Sequence, residues 1–165
     1  MKIPFSRRFL QANSDLHGFI EYTSPGTYYF QLKYKVKARI ILLTGGNDRF
    51  NIFGWSAGAS GTIWIATARV FPGTYSVQVG TIAVFGQDLN PANSVLKDGE
   101  GNDLVNVYNG RVSSGFDVIP GSVEEEFTYN PAQGSGGGAS PYRGYGKGSD
   151  IDVSNATTGY FSLEW

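Results

Sequence analysis

The chain has 165 residues, no cysteine, one histidine and a formal net charge of −1. This length indicates one domain with a sizeable core, and without cysteine there are no disulfide frameworks, thiolate zinc sites or cysteine nucleophiles. The 13 basic residues are scattered, which argues against a nucleic-acid interface. The longest apolar run, 40–43, is far shorter than the ~20 residues of a membrane-spanning helix.

Residues 1–17 are predicted to be an extended arm. Ser6, Arg7 and Arg8 are similar to a twin-arginine export signal, but polar residues follow where such a signal needs an apolar stretch of roughly 7–15 residues. We therefore expect that the protein is not exported and that it is assembled in the cytoplasm. The arm would dock by adding to a partner's edge or groove, and its expected anchors are Phe5, Arg7, Arg8, Phe9 and Leu10.

Residues 18–165 are predicted to form an all-β domain, an antiparallel β-sandwich or jelly-roll-like fold with long glycine-rich loops. The chain has 23 glycines, 10 tyrosines and 11 phenylalanines and lacks long helix-forming stretches. Alternation and turn residues predict strands at 19–23, 28–34, 38–44, 62–70, 75–79, 94–97 and 104–108, a strand pair within 118–129 and a paired terminal strand at 159–165.

Two proline–glycine turns share a longer pattern. Residues 25–28 and 72–75 both read Pro-Gly-Thr-Tyr, and a glutamine follows at the same offset in each copy. Proline then glycine is typical of a type II turn, so each copy predicts a hairpin. The pair indicates either two hairpins used in similar ways, one in each sheet, or a chance similarity of turn chemistry.

No residue pattern predicts catalysis, a metal site or a cofactor. His17 is the only histidine and lacks the partners that a catalytic triad or a metal site needs. Asp98, Glu100 and Asn102 alternate like the start of a calcium loop, but the glycine and glutamate required later are missing, which favours a hairpin turn. A glycosidase carboxylate pair is the weakest hypothesis, since no spacing selects two acids.

Residues 132–150 are rich in glycine and are the main candidate contact region. Tyr142, Arg143, Tyr145 and Lys147 give this loop flat apolar faces and donors that suit a surface glycan. An exposed loop with no partner is the alternative. Trp55, in a loop of small residues, is a second binding candidate, and a role in filling the core is its alternative.

The ordered series of these motifs resembles the glycine-rich domains of phage tail fibres and tail-tip proteins. It runs from the first Pro-Gly-Thr turn through Gly45-Gly46, the small-residue loop 56–61 and the second turn to the glycine cluster and the terminal strand, although long glycine runs are fewer here. The resemblance implies a non-enzymatic virion protein on the tail or capsid surface, docked on other virion proteins, homo-oligomeric with a trimer favoured, and involved in host attachment. A free-standing, lectin-like bacterial module is the alternative.

Overall fold

The computed structural model describes residues 17–47, 50–51, 55–56, 60–84, 92–108, 111–114, 123–129, 140, 142–148 and 156–165. For 50–51, 55–56, 111, 113–114 and 123–129 the description covers the backbone alone. Within these ranges no helix has the length and hydropathy that crossing a bilayer requires.

Twelve strands account for most of the described chain. They are β1 (Phe19–Tyr22), β2 (Gly26–Leu32), β3 (Val36–Leu43), β4 (Phe50–Asn51), β5 (Trp55–Ser56), β6 (Ile63–Val70), β7 (Gly73–Val79), β8 (Ser94–Lys97), β9 (Asp103–Tyr108), β10 (Arg111–Ser114), β11 (Val123–Tyr129) and β12 (Tyr160–Glu164).

Ten of these strands form two five-stranded antiparallel sheets that pack face to face. Sheet A has the order β1-β12-β3-β6-β11, and sheet B has the order β10-β9-β8-β7-β2. Strand β3 lies over β8, and β12 lies over β7. The predicted all-β sandwich is confirmed, and β12 is paired on both sides, as expected for a terminal strand with an apolar face.

The core lies between the sheets and follows the period of two along each strand. In sheet A, Leu42 pairs with both Trp64 and Phe161, and all three are fully buried. In sheet B, Phe30 pairs with Tyr75 and their rings stack at 5.4 Å between centroids. Phe30 also stacks on Phe161 across the interface, at 5.8 Å. Aromatic rings therefore join the two sheets directly.

The two proline–glycine turns are not hairpins, which corrects the prediction. Each turn carries the chain from sheet A to sheet B, from β1 to β2 at Pro25 and from β6 to β7 at Pro72. Gly26 has a φ of 151° rather than the roughly 80° of a type II turn, and Gly73 is not among the positive-φ glycines. Neither glycine therefore has the φ of a type II turn, and at each site the chain bridges two layers instead of reversing within one.

The shared pattern is nevertheless a structural repeat. The hydroxyl of Tyr28 donates to the carbonyl of Ser24 at 2.9 Å, and the hydroxyl of Tyr75 donates to the carbonyl of Phe71 at 2.7 Å. Each tyrosine thus ties its strand to the residue four positions earlier, as in the tyrosine corners of other sandwiches. Strands β2 and β7, which follow the two corners, pair with each other along their full length.

The sandwich has two different ends. Strands β3, β7 and β11 end, and β6, β8 and β12 begin, at the end that we call the loop end, where the long connections 44–62, 80–93 and 130–159 are attached. The opposite end, the arm end, has the short turns at 33–35 and 98–102. There Gly18 and Trp165 exchange backbone hydrogen bonds of 2.8 and 3.0 Å, so β1 is entered from the arm end.

Candidate functional site

Glycines let the backbones of the loop end approach one another closely. A methyl group on Gly45 would overlap the carbonyl oxygen of Thr81, and one on Gly80 would overlap that of Ala92. Gly46 meets the carbonyl of Lys147 in the same way. These loops therefore pack main chain against main chain, which only glycine permits.

Backbone hydrogen bonds connect the same loops. Gly45 N donates to Ala92 O at 3.1 Å, Gly61 N donates to Gly146 O at 2.7 Å, and Gly159 N donates to Gly80 O at 2.8 Å. Since these bonds join residues far apart in sequence, the described part of the loop end is one packed unit rather than separate loops.

Ser94 fastens the two sheets to each other beneath this unit. Its buried hydroxyl donates to the carbonyl of Leu43 in sheet A at 2.7 Å and accepts from the amide of Gly80 at 2.9 Å. Both backbone groups are thereby satisfied away from water. The loop end is consequently fixed to both layers of the sandwich.

The turn at 142–148 is held on the outer face of sheet A. The rings of Tyr142 and Tyr145 each lie 5.0 Å from that of Tyr160, tilted against it. Both side chains are partly buried, and they pack on the cluster formed by Ile41, Leu43, Ile63 and Tyr160. The two predicted binding tyrosines therefore also support the turn, and each leaves part of its surface in solvent.

Arg143 lies at the tip of this turn and is exposed. It has a φ of 48°, the only positive value outside glycine among the described residues. Its guanidinium lies 5.1 Å from the centre of the Tyr142 ring. A left-handed arginine is uncommon, and here it directs a charged, planar donor group next to an aromatic face.

Lys147 closes the turn through its backbone. Its amide donates to Thr157 Oγ1 at 2.8 Å, and its carbonyl accepts from the amide of Thr157 at 2.9 Å. Thr157 Oγ1 in turn donates to the carbonyl of Gly144 at 2.7 Å. The turn is thus fixed at both of its ends, and the side chain of Lys147 is half-buried.

Tyr160 is the buried support of this surface, and the sequence analysis did not single it out. Its hydroxyl donates to Glu21 Oε1 at 2.7 Å, and only 1% of the residue is exposed. Burial, followed by the hydrogen bond to Glu21, raises the pKa of Tyr160 well above its ordinary value. The only feature of the sequence that could have indicated this role is the position of Tyr160, directly after Gly159 at the start of the terminal strand.

The remaining predicted site residues are divided between the described and undescribed parts of the chain. Trp55 lies in β5, where its backbone pairs with Asn51, and its side chain is outside the description. The anchors of the arm, Phe5, Arg7, Arg8, Phe9 and Leu10, lie outside the described residues, as do 132–139, 141 and 149–150 of the glycine-rich segment.

The acidic turn at 98–102 is a hairpin, as predicted. Asp98 Oδ1 accepts from the amides of Glu100 and Asn102 at 2.9 Å each, and Asp98 Oδ2 accepts from Asn102 Nδ2 at 2.9 Å. The side-chain bond from Asn102 is the largest cause that lowers the pKa of Asp98. Across the described ranges, no three acidic or histidine side chains are grouped as a metal site would require.

The described turn at the loop end presents a guanidinium and partly exposed phenol rings. Such groups stack and donate hydrogen bonds, which suits binding of a polar ligand with flat apolar faces. No family model, curated protein or solved structure matches this chain. The site therefore rests on its own geometry.

Proposed function

We propose that this chain is a non-enzymatic structural protein of a phage virion appendage, on the tail or capsid surface, with a role in assembly and host attachment. The observation that carries the proposal is the polarity of the sandwich. The chain enters β1 at the arm end, beside Trp165, while Arg143 and its tyrosines are attached at the opposite, loop end.

This polarity separates two contacts that an appendage needs. A segment that docks onto another virion protein is joined to one end of the body, and a surface that meets the host is held at the other end. The sandwich between them is rigidly packed, with its aromatic core continuous from sheet to sheet. The body would therefore project its loop end away from the particle.

The order of the loop end supports attachment rather than a passive surface. Gly146 N donates to Thr158 O at 2.8 Å and Tyr145 N donates to Tyr142 O at 2.8 Å, so backbone hydrogen bonds of the chain itself hold the turn in shape. A preorganised surface loses less conformational entropy on binding than a mobile loop does. Host surface glycans are the proposed ligands, because sugar rings offer apolar faces for stacking and hydroxyls for Arg143.

Deletion of residues 1–17 tests the docking role. When the truncated protein replaces the full chain during assembly, the particles should not incorporate it. The Arg143→Ala variant should be incorporated in normal amounts, as measured by mass spectrometry of purified particles. The Arg143→Ala particles should adsorb to host cells more slowly. Normal incorporation of the truncated protein would contradict the docking role.

A free-standing, lectin-like module is the second candidate. It is favoured by the packing of the binding turn on Tyr160 and Leu43, which belong to the sandwich itself. In that case the isolated protein would bind glycans on an array and would be absent from purified particles. Presence in the particles, at a fixed copy number, would exclude this candidate.

A further inference from the structure

The two five-stranded sheets have four edge strands, and three of these carry features that prevent pairing with another chain. Strands β1 and β10 have four residues each, and β1 contains Glu21 while β10 contains Arg111. Strand β11 contains three glutamates and a register shift between Val123 and Glu125. Short length, charge and bulges are the usual means of blocking an edge.

The fourth edge, strand β2, has none of these features. It has seven residues, Gly26–Leu32, without a charge, a proline or a register shift against β7. Among the described strands β7 is its only neighbour, so one side of its backbone is unpaired there. A long, regular and uncharged edge is a template for another strand.

Large apolar side chains are exposed along the same side of the molecule. Four are exposed among the described residues, and three of them belong to β1, β2 or the turn after β2: Phe19 at 57%, Tyr29 at 74% and Tyr34 at 54%. Tyr29 lies at the centre of β2, on the outer face of sheet B. A large aromatic side chain left 74% exposed on an edge strand, as Tyr29 is, is typical of a contact surface.

We propose that a second copy of this chain pairs with the β2 edge, antiparallel and centred on Tyr29. Sheet B of each copy then continues into that of the other, which makes a twofold-symmetric dimer with a ten-stranded sheet. The interface is isologous, because the same strand contributes both sides. The dimer rests on the proposed function, for which it specifies the form of the homo-oligomer. It differs from the trimer that the resemblance favours.

The pattern of β2 is complementary to itself in this register. Tyr29 lies opposite Tyr29 of the second copy, and Tyr28 lies opposite Phe30. The buried faces of both copies therefore stay on one side and the solvent-facing residues on the other, as a half-buried sheet demands. Aromatic cross-strand pairs are among the most favourable in antiparallel sheets.

Charge disfavours a register shifted toward the end of β2. Lys33 and Lys35 follow directly after β2. A shift of the register toward the end of β2 would bring Lys33 opposite its own copy, and like charges directly opposite are unfavourable. Centring on Tyr29 instead places each Lys33 beyond the paired strand of the other copy.

Sedimentation of the full chain tests the dimer. The wild-type protein should approach twice its mass of 17.9 kDa as concentration rises. Tyr29→Lys places two ammonium groups opposite each other and should raise the dimer dissociation constant at least about tenfold. The matched control is Thr74→Lys, an exposed residue on the outer face of the neighbouring strand β7, which should dimerise normally.

Mixing two variants gives a positive test of the register. Tyr29→Lys and Tyr29→Glu should each be monomeric alone and should form a heterodimer when combined, because the opposite charges then face each other. Both variants should fold normally, because the side chain of Tyr29 is exposed. Circular dichroism of each variant verifies that they do.

Cysteine crosslinking measures the same register independently, since the chain has no cysteine of its own. Tyr29→Cys should form a disulfide-linked dimer under mild oxidation, because residue 29 faces its own copy. Gln31→Cys should not, because residue 31 faces residue 27. Equal crosslinking at both positions, a monomer at all concentrations, or a stable trimer would each overturn the inference. If the protein is a monomer but is found in particles, the dimer is wrong and the virion role stands. If it is a dimer but is absent from particles, the virion role is wrong and the dimer stands.

Discussion

Buried polar side chains decide how the loop end is attached to the sandwich. Ser94 satisfies one backbone group in each of two sheets, and Tyr160 reaches Glu21 in β1 while its ring supports Tyr142. Replacing Ser94 by a smaller apolar residue would leave two buried backbone groups unpaired, and replacing Tyr160 would remove the ring on which Tyr142 rests. The binding surface therefore depends on residues that no ligand would contact.

The buried hydroxyl of Tyr160 should make folding sensitive to alkaline pH. Its pKa is raised above the ordinary value of 10.0 in the folded chain, so the folded state keeps a proton that the unfolded state loses. The stabilisation is complete below pH 10 and is lost as the pH rises beyond it, by up to about 1.4 kcal/mol per pH unit for one group.

Urea unfolding at several alkaline pH values measures this slope. Tyr160→Phe should flatten it, and Glu21→Gln should retain most of it, because burial is the largest cause of the raised pKa. An unchanged slope in Tyr160→Phe would show that another group controls the alkaline response.

Among the strands and turns, the two tyrosine corners show how the tetrapeptide Pro-Gly-Thr-Tyr carries the chain from one sheet to the other. Proline fixes an extended start and glycine follows without steric conflict, so the chain leaves one sheet for the other. The tyrosine then turns back and bonds the carbonyl four residues earlier, at Ser24 or Phe71. The corner thereby sets the position at which β2 and β7 begin.

Loss of the corner hydroxyl should destabilise the fold measurably. Tyr75→Phe removes a partly buried hydrogen bond and should cost about 1 kcal/mol, whereas Tyr28→Phe should cost less because its bond is exposed. The double variant should be additive, because the two corners lie at opposite ends of the sandwich. Tyr29→Phe, which alters an exposed ring outside both corners, is the control, and equal stabilities of all variants in urea would contradict the role of the corners.

Local patterns predicted most of the longer strands, but they missed β10 and did not predict which strands pair. The alternation at 94–97 and 104–108 predicts β8 and β9 closely, because one buried face imposes a period of two. The same Pro-Gly dipeptide occurs in hairpins and in layer crossings, so local turn chemistry could not distinguish them at Pro25. Arg143 and Tyr142 could be predicted as residues of one loop, but the support that Tyr160 gives to this loop depends on long-range pairing.

At the level of the whole molecule, glycines couple the loop end to both sheets. Gly80 lies where the connection after β7 meets Ala92 and Ser94 of sheet B and Gly159 of sheet A. A side chain at position 80 would disturb the contacts between the loops and, at the same time, the connection between the two sheets. The effect should therefore reach beyond a single loop.

Gly80→Ala should destabilise the protein by roughly 2–3 kcal/mol, because the added methyl group would overlap the carbonyl oxygen of Ala92 and the backbone must move. Gly73→Ala is the matched control: its methyl group would meet Tyr75 at an ordinary 3.7 Å, so it should change stability by less than about 0.5 kcal/mol. Combined with Ser94→Ala, Gly80→Ala should cost less than the sum of the single changes, because the displaced Gly80 amide has already lost its bond to Ser94. Urea unfolding of all four variants measures these differences. Strict additivity would mean that Gly80 and Ser94 hold the loop end separately, and the loop end would then not be a single unit.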